Sequence, residues 1–362
     1  MHKDLGARIT GDVSRFGARV VRHIDWRAHQ HVRGLAPVDV LPHGQASPPS
    51  FRRRLHDLNR GPRELKRLDP QGRHPLRQIP FKLRNYRLAS SHGVPVPEVL
   101  RVWATLDGLD LTEAPETFVL KADRGAASRG VLPLRRVDHD AYRVVGERQV
   151  MTQEQVRAHL RQPKVKGPFF IEPLLAPPQG DSLPQDIKLY MFYGELGHVM
   201  LRRMARHGDM RRARYRFLDE DGADLGDDVA PGNHIDPTIE PPQAFADYVA
   251  IARHLSRAVA LPFIRVDLLE TDQGPVFGEL TRAPGGRQWF RDDHDLHLGR
   301  LWDQAQCRME LDLADGRPFR NLRGEHPSPP LYPAGHEPRL ERDQGQENLA
   351  PLPCSKWCVR PV

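Results

Sequence analysis

Residues 263–286, FIRVDLLETDQGPVFGELTRAPGG, carry an arginine and two carboxylates between apolar side chains. Segments 263–270 and 276–281 are rich in β-branched and aliphatic residues and are bounded by turn residues, so each reads as a strand. Side chains alternate along a strand. Arg265 and Asp267 therefore share a face with Phe263 and Leu269, and Glu279 and Thr281 share one with Phe277. The turn decides whether these two faces are the same. A two-residue loop, Asp272-Gln273, pairs Asp267 with Gly278 and sends the carboxylates to opposite faces. A three-residue loop ending in Gly274 pairs Asp267 with Glu279 and Arg265 with Thr281. It is the expected form, because Gly274 stands where that turn needs a left-handed residue. Carboxylates directly opposite each other repel. A divalent cation between them, of the kind oxygen ligands such as these offer Mg2+, makes the pairing tolerable.

Other residues have chemical potential of their own. Lys121 ends a strand and precedes a loop containing Gly125, Ala126, Ala127, Ser128 and Gly130. Small residues let backbone N–H groups approach an anion, and the ammonium adds a counter-charge. The lysine precedes the glycines, so this is not a Walker A loop, and alone it is better explained as an ordinary surface loop. Lys188 shares a strand face with Asp186; a structural ion pair to another strand explains it equally well. Glu172 interrupts the apolar FFIEPLL, where an unpaired carboxylate is expensive. Arg202, Arg203, Arg206, Arg211, Arg212, Arg214 and Arg216 make a basic stretch that either grips phosphates or a polyanion or lines a solvated face. His294 and His297 are expected to face solvent, and the eighteen histidines show no HExxH spacing.

The elements that must position these groups follow from patterning. Segment 79–103 reads as helix, glycine turn and strand; 116–134 as strand, loop and strand; 152–162 as a helix with a Thr152/Gln155 capping box. Segment 168–175 is a buried strand running into a Pro-rich loop, and 186–204 is a hairpin turning at Gly194. Phe245, Val249, Ala252, Leu255 and Val259 mark an amphipathic helix over 241–260, and 293–311 reads as another. Residues 1–34 hold a basic amphipathic pattern through Ile9, Val13, Phe16, Val20 and Ile24, expected to pack on the body of the chain, with peripheral membrane contact the less favoured role. Segment 42–50 reads as a linker, and the chain from about 320 as a loose, Pro-rich tail.

The 362 residues suggest two or three subdomains, and 39% hydrophobic residues suffice for a real core. The net charge is +7, but 46 of the 54 basic residues are Arg, so the charge says little about nucleic acid, and no specific nucleic-acid partner is expected. Each of the eight lysines is correspondingly informative, because an ammonium is a compact point charge that Arg does not replace well. Cys307, Cys354 and Cys358 form no zinc or disulfide pattern, which together with the lack of a signal peptide or membrane span gives a cytoplasmic expectation.

The order of these features (helix Lys, strand Lys, small-residue loop, Glu-containing strand, Asp-x-Lys, then Arg-x-Asp and Glu-x-Thr on a late hairpin) resembles the ATP-grasp superfamily of carboxylate–amine ligases. IPFKLRNY, LPQDIKLYMFYGEL, FIRVDLLE and FGELTRAPGG resemble its TupA-like branch, associated with teichuronopeptide and related cell-surface polymer biosynthesis, over roughly residues 76–300. The resemblance implies an α/β (α+β) ATP-grasp fold holding a nucleotide between two antiparallel-sheet subdomains. It divides the chain into 1–75, a basic helical extension and linker; 76–115, the N-terminal subdomain; 116–180, a small lid; 181–320, the catalytic subdomain; and 321–362, a tail. It implies ATP and Mg2+, with Mn2+ as an alternative. Lys82 and Lys121 would contact phosphates, and the 125–130 loop, with Gly125, Ser128 and Gly130, would close over them. Glu172 to Leu175, including Leu174, would hold adenine; Asp186 would face the ribose; Lys188 would meet nucleotide or substrate. Asp267, Glu279 and Thr281 would hold metal, and Arg265 the transferred phosphoryl group. Thr281 stands where many of these ligases have Asn, Phe81 where the branch usually has an acid, and Ala126, Ala127 and Arg129 replace a Gly-Ser-Gly type loop. The implied partners are a small carboxylate and an amine, with an anionic polymer as a further acceptor. The competing expectations are a catalytically silent nucleotide- or polyanion-binding protein and, ranked last, a polysaccharide-associated glycosyltransferase.

Overall fold

The computed structural model describes residues 47–336, apart from 126–128, 179–182, 205–211, 228, 286–287 and 329. The amphipathic pattern of 1–34, Ser128, Arg206, Arg211, Cys354 and Cys358 lie outside the described residues.

The chain order is α1 (Phe51–Arg60), α2 (Pro62–Leu68), α3 (Pro75–Gln78), α4 (Lys82–Ser91), β1 (Arg101–Trp103), β2 (Thr117–Arg124), β3 (Val131–Asp138), β4 (Ala141–Val144), β5 (Val150–Met151), α5 (Gln153–Leu160), β6 (Lys166–Pro173), β7 (Gln185–Phe192), β8 (Glu195–Arg203), β9 (Arg214–Leu218), α6 (Phe245–Val259), β10 (Ile264–Thr271), β11 (Gly274–Thr281) and α7 (Asp292–Ala314). Two antiparallel sheets result, ordered β1-β6-β2-β3-β4-β5 and β11-β10-β7-β8-β9. The first sheet closes a small core of its own through Phe118, Leu120, Phe169, Ile171 and, from α5, Val156 and Leu160. The expected capping box is present: Thr152 Oγ1 accepts from Gln155 N–H, and the Gln155 side chain accepts from Thr152 N–H.

The second sheet is covered on both faces. Ile187, Leu189, Ile264, Val266, Leu268 and Phe277 meet α4 and α6 in one core. On the opposite face, Tyr190, Phe192 and Phe263 meet Phe51 of α1 and Trp302 of α7. Tyr86 of α4 joins the two sheets, its ring 6.0 Å from Phe170 of β6 and 6.1 Å from Phe277 of β11.

Three expectations are corrected here. The hairpin gives the expected pairs, Asp267 with Glu279 and Arg265 with Thr281, but by another route. Thr271 pairs with Gly274, so the loop is the two-residue Asp272-Gln273 form, and a bulge at Asp267/Leu268 shifts the register by one. Gly278 lies in that irregularity. A Cβ there would stand 3.1 Å from the Asp267 carbonyl oxygen, so a side chain would crowd the opposite strand. The bulge also separates Phe277, which turns into the core beside Leu268, from Glu279. Second, the segment read as linker ends on a built contact. Buried Ser50 caps α1, a helix not foreseen, and donates to Asp295 of α7 at 2.6 Å. Third, the described residues of 321–336 are not loose. Leu322 and Tyr332 are buried, and the segment is bonded to α4 by Gly324 N–H to Ser91 Oγ (3.0 Å) and His326 N–H to Ser91 O (2.9 Å).

Candidate active site

The covered face of the β7–β11 sheet that carries Phe263 and Tyr190 also carries the chemistry. Its cross-strand rows are Glu279–Asp267–Lys188 and Thr281–Arg265–Tyr190–His198. Arg265 forks onto Asp267, Nε to Oδ1 and Nη2 to Oδ2, both at 2.6 Å, and Nη2 reaches Thr281 Oγ1 at 3.2 Å. Lys188 Nζ donates to Asp267 Oδ2 at 2.6 Å and to Asp186 Oδ1 at 2.7 Å. Thr281 Oγ1 donates to Glu279 Oε1 at 3.2 Å. Six of the expected site residues, Asp186, Lys188, Arg265, Asp267, Glu279 and Thr281, thus form one connected network.

Burial sets the charge states. Desolvation opposes charge on Asp186, but Lys188 and Arg202 outweigh it and hold the carboxyl far below its usual range. For Arg265 burial disfavours the cation, and Asp267 more than restores it, keeping the guanidinium charged. Burial likewise raises Glu279, and Lys82, Lys188 and Arg265 bring it below the ordinary value. Asp186 and Glu279 are therefore ionised together.

The facing sheet supplies a second cluster. Lys121 of β2 is ion-paired to Glu172 of β6, Tyr86 donates to Glu172 Oε2 at 2.8 Å, and Lys121 Nζ donates to the Tyr86 hydroxyl at 2.8 Å. Lys82 opens α4 and is buried; desolvation lowers its pKa, with Glu279 pulling the other way. No ion pair within 4 Å holds it among the described residues. Leu174 and Leu175, half-buried, leave the end of β6, and Ala176 O accepts from Asp272 N–H at the hairpin turn (3.2 Å). Gly125 and Gly130 stand at the two ends of the short loop. A Cβ on Gly125 would lie 2.3 Å from Arg129 O, and Ala122 N–H donates to Gly130 O at 2.8 Å.

Several contributors were not foreseen. Buried Asp123, two residues after Lys121 on the same strand face, accepts from Leu83 N–H at 2.8 Å, while Tyr332 Oη accepts from Arg84 N–H at 3.1 Å and donates to Asp123 Oδ2 at 3.2 Å. These two residues satisfy two of the orphan N–H groups of the first turn of α4, for which Phe81 offers no cap. The Lys-x-Asp alternation was a legible signal for Asp123; nothing local marked Tyr332. Of the five arginines of the stretch among the described residues, three are committed to structure: Arg202 to Asp186, Arg203 to Asp236 at 3.7 Å, Arg216 to Asp224 at 2.6 Å. His294 is not solvent-facing. It is buried, its Nε2 is 3.0 Å from His198 Nδ1, and desolvation followed by His297 lowers its pKa to about 4.

Burial pushes the Asp123 carboxyl up to about 6, against the pull of Leu83 N–H, Tyr332 and Lys82. Its unfolded value is about 3.9, so the native state binds the extra proton between these limits. Its contribution to stability is therefore full below about pH 4 and is lost as pH rises through 6. Asp123→Asn should gain up to about 3 kcal/mol on wild type between pH 4 and pH 7.5, at about 1.36 kcal/mol per unit. Denaturant unfolding at the two pH values measures it; a constant difference contradicts the assignment.

A model of the TupA-like ATPgrasp family matches residues 64–302. The chain belongs to the TupA-like ATP-grasp family. The ATP-grasp fold expected from the sequence is the one observed, two antiparallel sheets with flanking helices. Among solved structures, this ATP-grasp chain is similar to D-alanine–D-alanine ligase from Bacillus anthracis complexed with ATP. The identity is 12% and the TM-score 0.41, covering 66% of this chain and 69% of that one. It is also similar to the ATP-grasp ligase PsnB complexed with a minimal precursor variant, Mg and ADP, at 14% identity and TM-score 0.36, covering 64% and 59%. A RimK domain ATP-grasp protein from Sphaerobacter thermophilus is 16% identical, with TM-score 0.35 and coverage of 63% and 68%. No curated protein matches. Among the described residues, no helix is long and apolar enough to cross a membrane.

Proposed function

We propose that this chain is an ATP-dependent carboxylate–amine ligase that forms an amide or peptide bond through an acyl phosphate, acting in the cytoplasm on precursors of a cell-surface polymer or a small peptide. The observation that carries this reading is Arg265, a buried, fully charged guanidinium fixed by Asp267 and beside Glu279 and Thr281. A rigid cation next to oxygen donors suits the charge that develops on equatorial oxygens during phosphoryl transfer.

In this reading a substrate carboxylate oxygen attacks the γ-phosphorus of ATP and ADP leaves. A neutral amine then attacks the acyl carbon and phosphate leaves. Arg265 stabilises the transferred group and the acyl phosphate, and Lys188 meets nucleotide or substrate. Lys82 and Lys121 contact phosphates while the 125–130 loop closes over them. The carboxylate of Glu172 is taken up by Lys121 and Tyr86, so adenine would rest on the backbone and on Leu174 and Leu175. Asp186 lies toward the ribose.

The donor set of Asp267, Glu279 and Thr281 is all hard oxygen and fits Mg2+, or Mn2+ as an alternative. Among the described residues no three carboxylate, His or Cys side chains gather as a metal cage. Glu279, with 42% of its side chain exposed, has acceptor capacity to spare; Asp267 is already engaged by Arg265 and Lys188. The ion would neutralise phosphate charge when bound.

Acyl-phosphate formation is tested by incubating the protein with Mg-ATP, a panel of carboxylates and hydroxylamine. Hydroxamate appearing with ADP, for one class of acid, is the expected result. ADP release without hydroxamate, or none with any acid, contradicts the reading.

A further inference from the structure

Helix α4 starts against the local rules. Phe81 supplies no side-chain cap, the first turn holds no acidic residue, and Lys82 puts a cation at the end where the helix dipole disfavours one. Lys82 is nevertheless buried. It shares a helix face with Tyr86, one turn later, whose hydroxyl donates to Glu172 and accepts from Lys121. The lysine is therefore on the face of α4 that meets the proposed phosphate site, and its place is not set by local sequence.

The anchor comes from elsewhere in the chain. Leu83 N–H donates to Asp123 Oδ1 at 2.8 Å and Arg84 N–H to Tyr332 Oη at 3.1 Å, while Tyr332 Oη donates to Asp123 Oδ2 at 3.2 Å. The two residues directly after Lys82 are thus held by one linked pair of side chains. Asp123 belongs to β2. Tyr332 belongs to a C-terminal strap that lies beyond the matched residues 64–302.

The strap meets the far end of α4 first. Leu322 O lies 2.9 Å from His92 Nε2, Gly324 N–H donates to Ser91 Oγ at 3.0 Å, His326 N–H donates to Ser91 O at 2.9 Å, and Ser328 Oγ accepts from Ser90 Oγ at 3.4 Å. A Cβ on Gly324 would run into Ser91 O, so the two backbones touch. From Ser91 back to Arg84 the helix is about 10 Å long at 1.5 Å per residue, and the strap spans it to bring buried Tyr332 to the first turn.

We propose that Tyr332 is a positioning residue for Lys82: with Asp123 it fixes the first turn of α4, so that the Lys82 ammonium meets the nucleotide phosphates. This rests on the nucleotide-site reading. Coupling between sites is reciprocal, so nucleotide held by Lys82 tightens the strap on α4 in turn.

The test measures Mg-ATP affinity of the full chain by titration calorimetry. Wild type is compared with Tyr332→Phe, Lys82→Met and the double variant, with Ser328→Ala as a control at the opposite end of α4. Tyr332→Phe keeps the buried ring and loses only the hydroxyl. It should bind about tenfold more weakly than wild type, whereas Ser328→Ala should match wild type. The double variant should bind no more weakly than Lys82→Met, because the hydroxyl acts through that lysine. No loss in Tyr332→Phe, losses that add in the double variant, or equal weakening by Ser328→Ala overturns the proposal. A second readout needs no variant. Exchange of the Gly324 and His326 amides, bonded to α4 at the end away from Lys82, should slow in wild type when Mg-ATP binds; unchanged rates also overturn it. Wild type that binds no Mg-ATP would instead sink the nucleotide-site reading, and the positioning role with it.

Discussion

Replacing Arg265 with Met should cost about 3–5 kcal/mol of stability, because it leaves a buried carboxylate without its main partner. The Asp267 side chain is 4% exposed and takes two 2.6 Å bonds from the guanidinium. Lys188 remains on Oδ2, which keeps the loss from being larger. Arg265→Lys should recover only part, since an ammonium cannot make the fork. Added Mg2+ should restore more of the variant's stability than of the wild type's, because removing the guanidinium uncovers a carboxylate opposite Glu279. Ligase turnover should fall at least about 100-fold. Denaturant unfolding with and without Mg2+ gives the stability terms. A variant within about 1 kcal/mol of wild type would mean that the fork is not what holds Asp267.

Lys121→Met should be comparably costly, at about 3–5 kcal/mol, for it strands Glu172. The two side chains are 10% and 3% exposed, and Tyr86 alone would be left on the carboxylate. Burial and the Glu172 charge already hold the Tyr86 hydroxyl well above its ordinary pKa, so it stays a neutral donor and does not replace the lost cation. The penalty lies in the unpaired charge, so Lys121→Met/Glu172→Gln should be about 2 kcal/mol more stable than Lys121→Met alone. Additive losses in that cycle would show that the pair is not coupled. Mg-ATP should bind neither variant as tightly as wild type.

These two clusters were legible to different degrees. Strand alternation alone put Lys188 beside Asp186 and Arg265 beside Asp267, because a period of two leaves no freedom within one strand. Pairing between strands was harder. The Asp267–Glu279 contact was expected from a three-residue turn, whereas the chain uses a two-residue turn and recovers the register with a bulge beside Gly278. A bulge depends on how the whole ladder packs, and a single glycine does not announce it. Glu172 in an apolar strand signalled a partner, yet Lys121 and Tyr86 could be joined to it only once β2, β6 and α4 were assembled. Tyr332 and the His198–His294 pair were hidden for the same reason, as were the partners of Asp123, which the Lys-x-Asp alternation itself marked. Each acquires its role from a residue at least forty positions away. The α1 helix was missed because its burial rests on two residues, Phe51 and Leu55, within a strongly basic segment.

The central claim is that the network around Glu279 is a metal–nucleotide site, and the thermal midpoint with and without Mg-ATP tests it most directly, with Glu279→Ala beside wild type. A ligand that binds only the folded state stabilises it by about 2.7 kcal/mol at 100 times Kd. The account predicts a clear upward shift for wild type at millimolar Mg-ATP and its loss in a variant that still melts cooperatively without ligand. No shift in folded wild type, or an equal shift in Glu279→Ala, would contradict it.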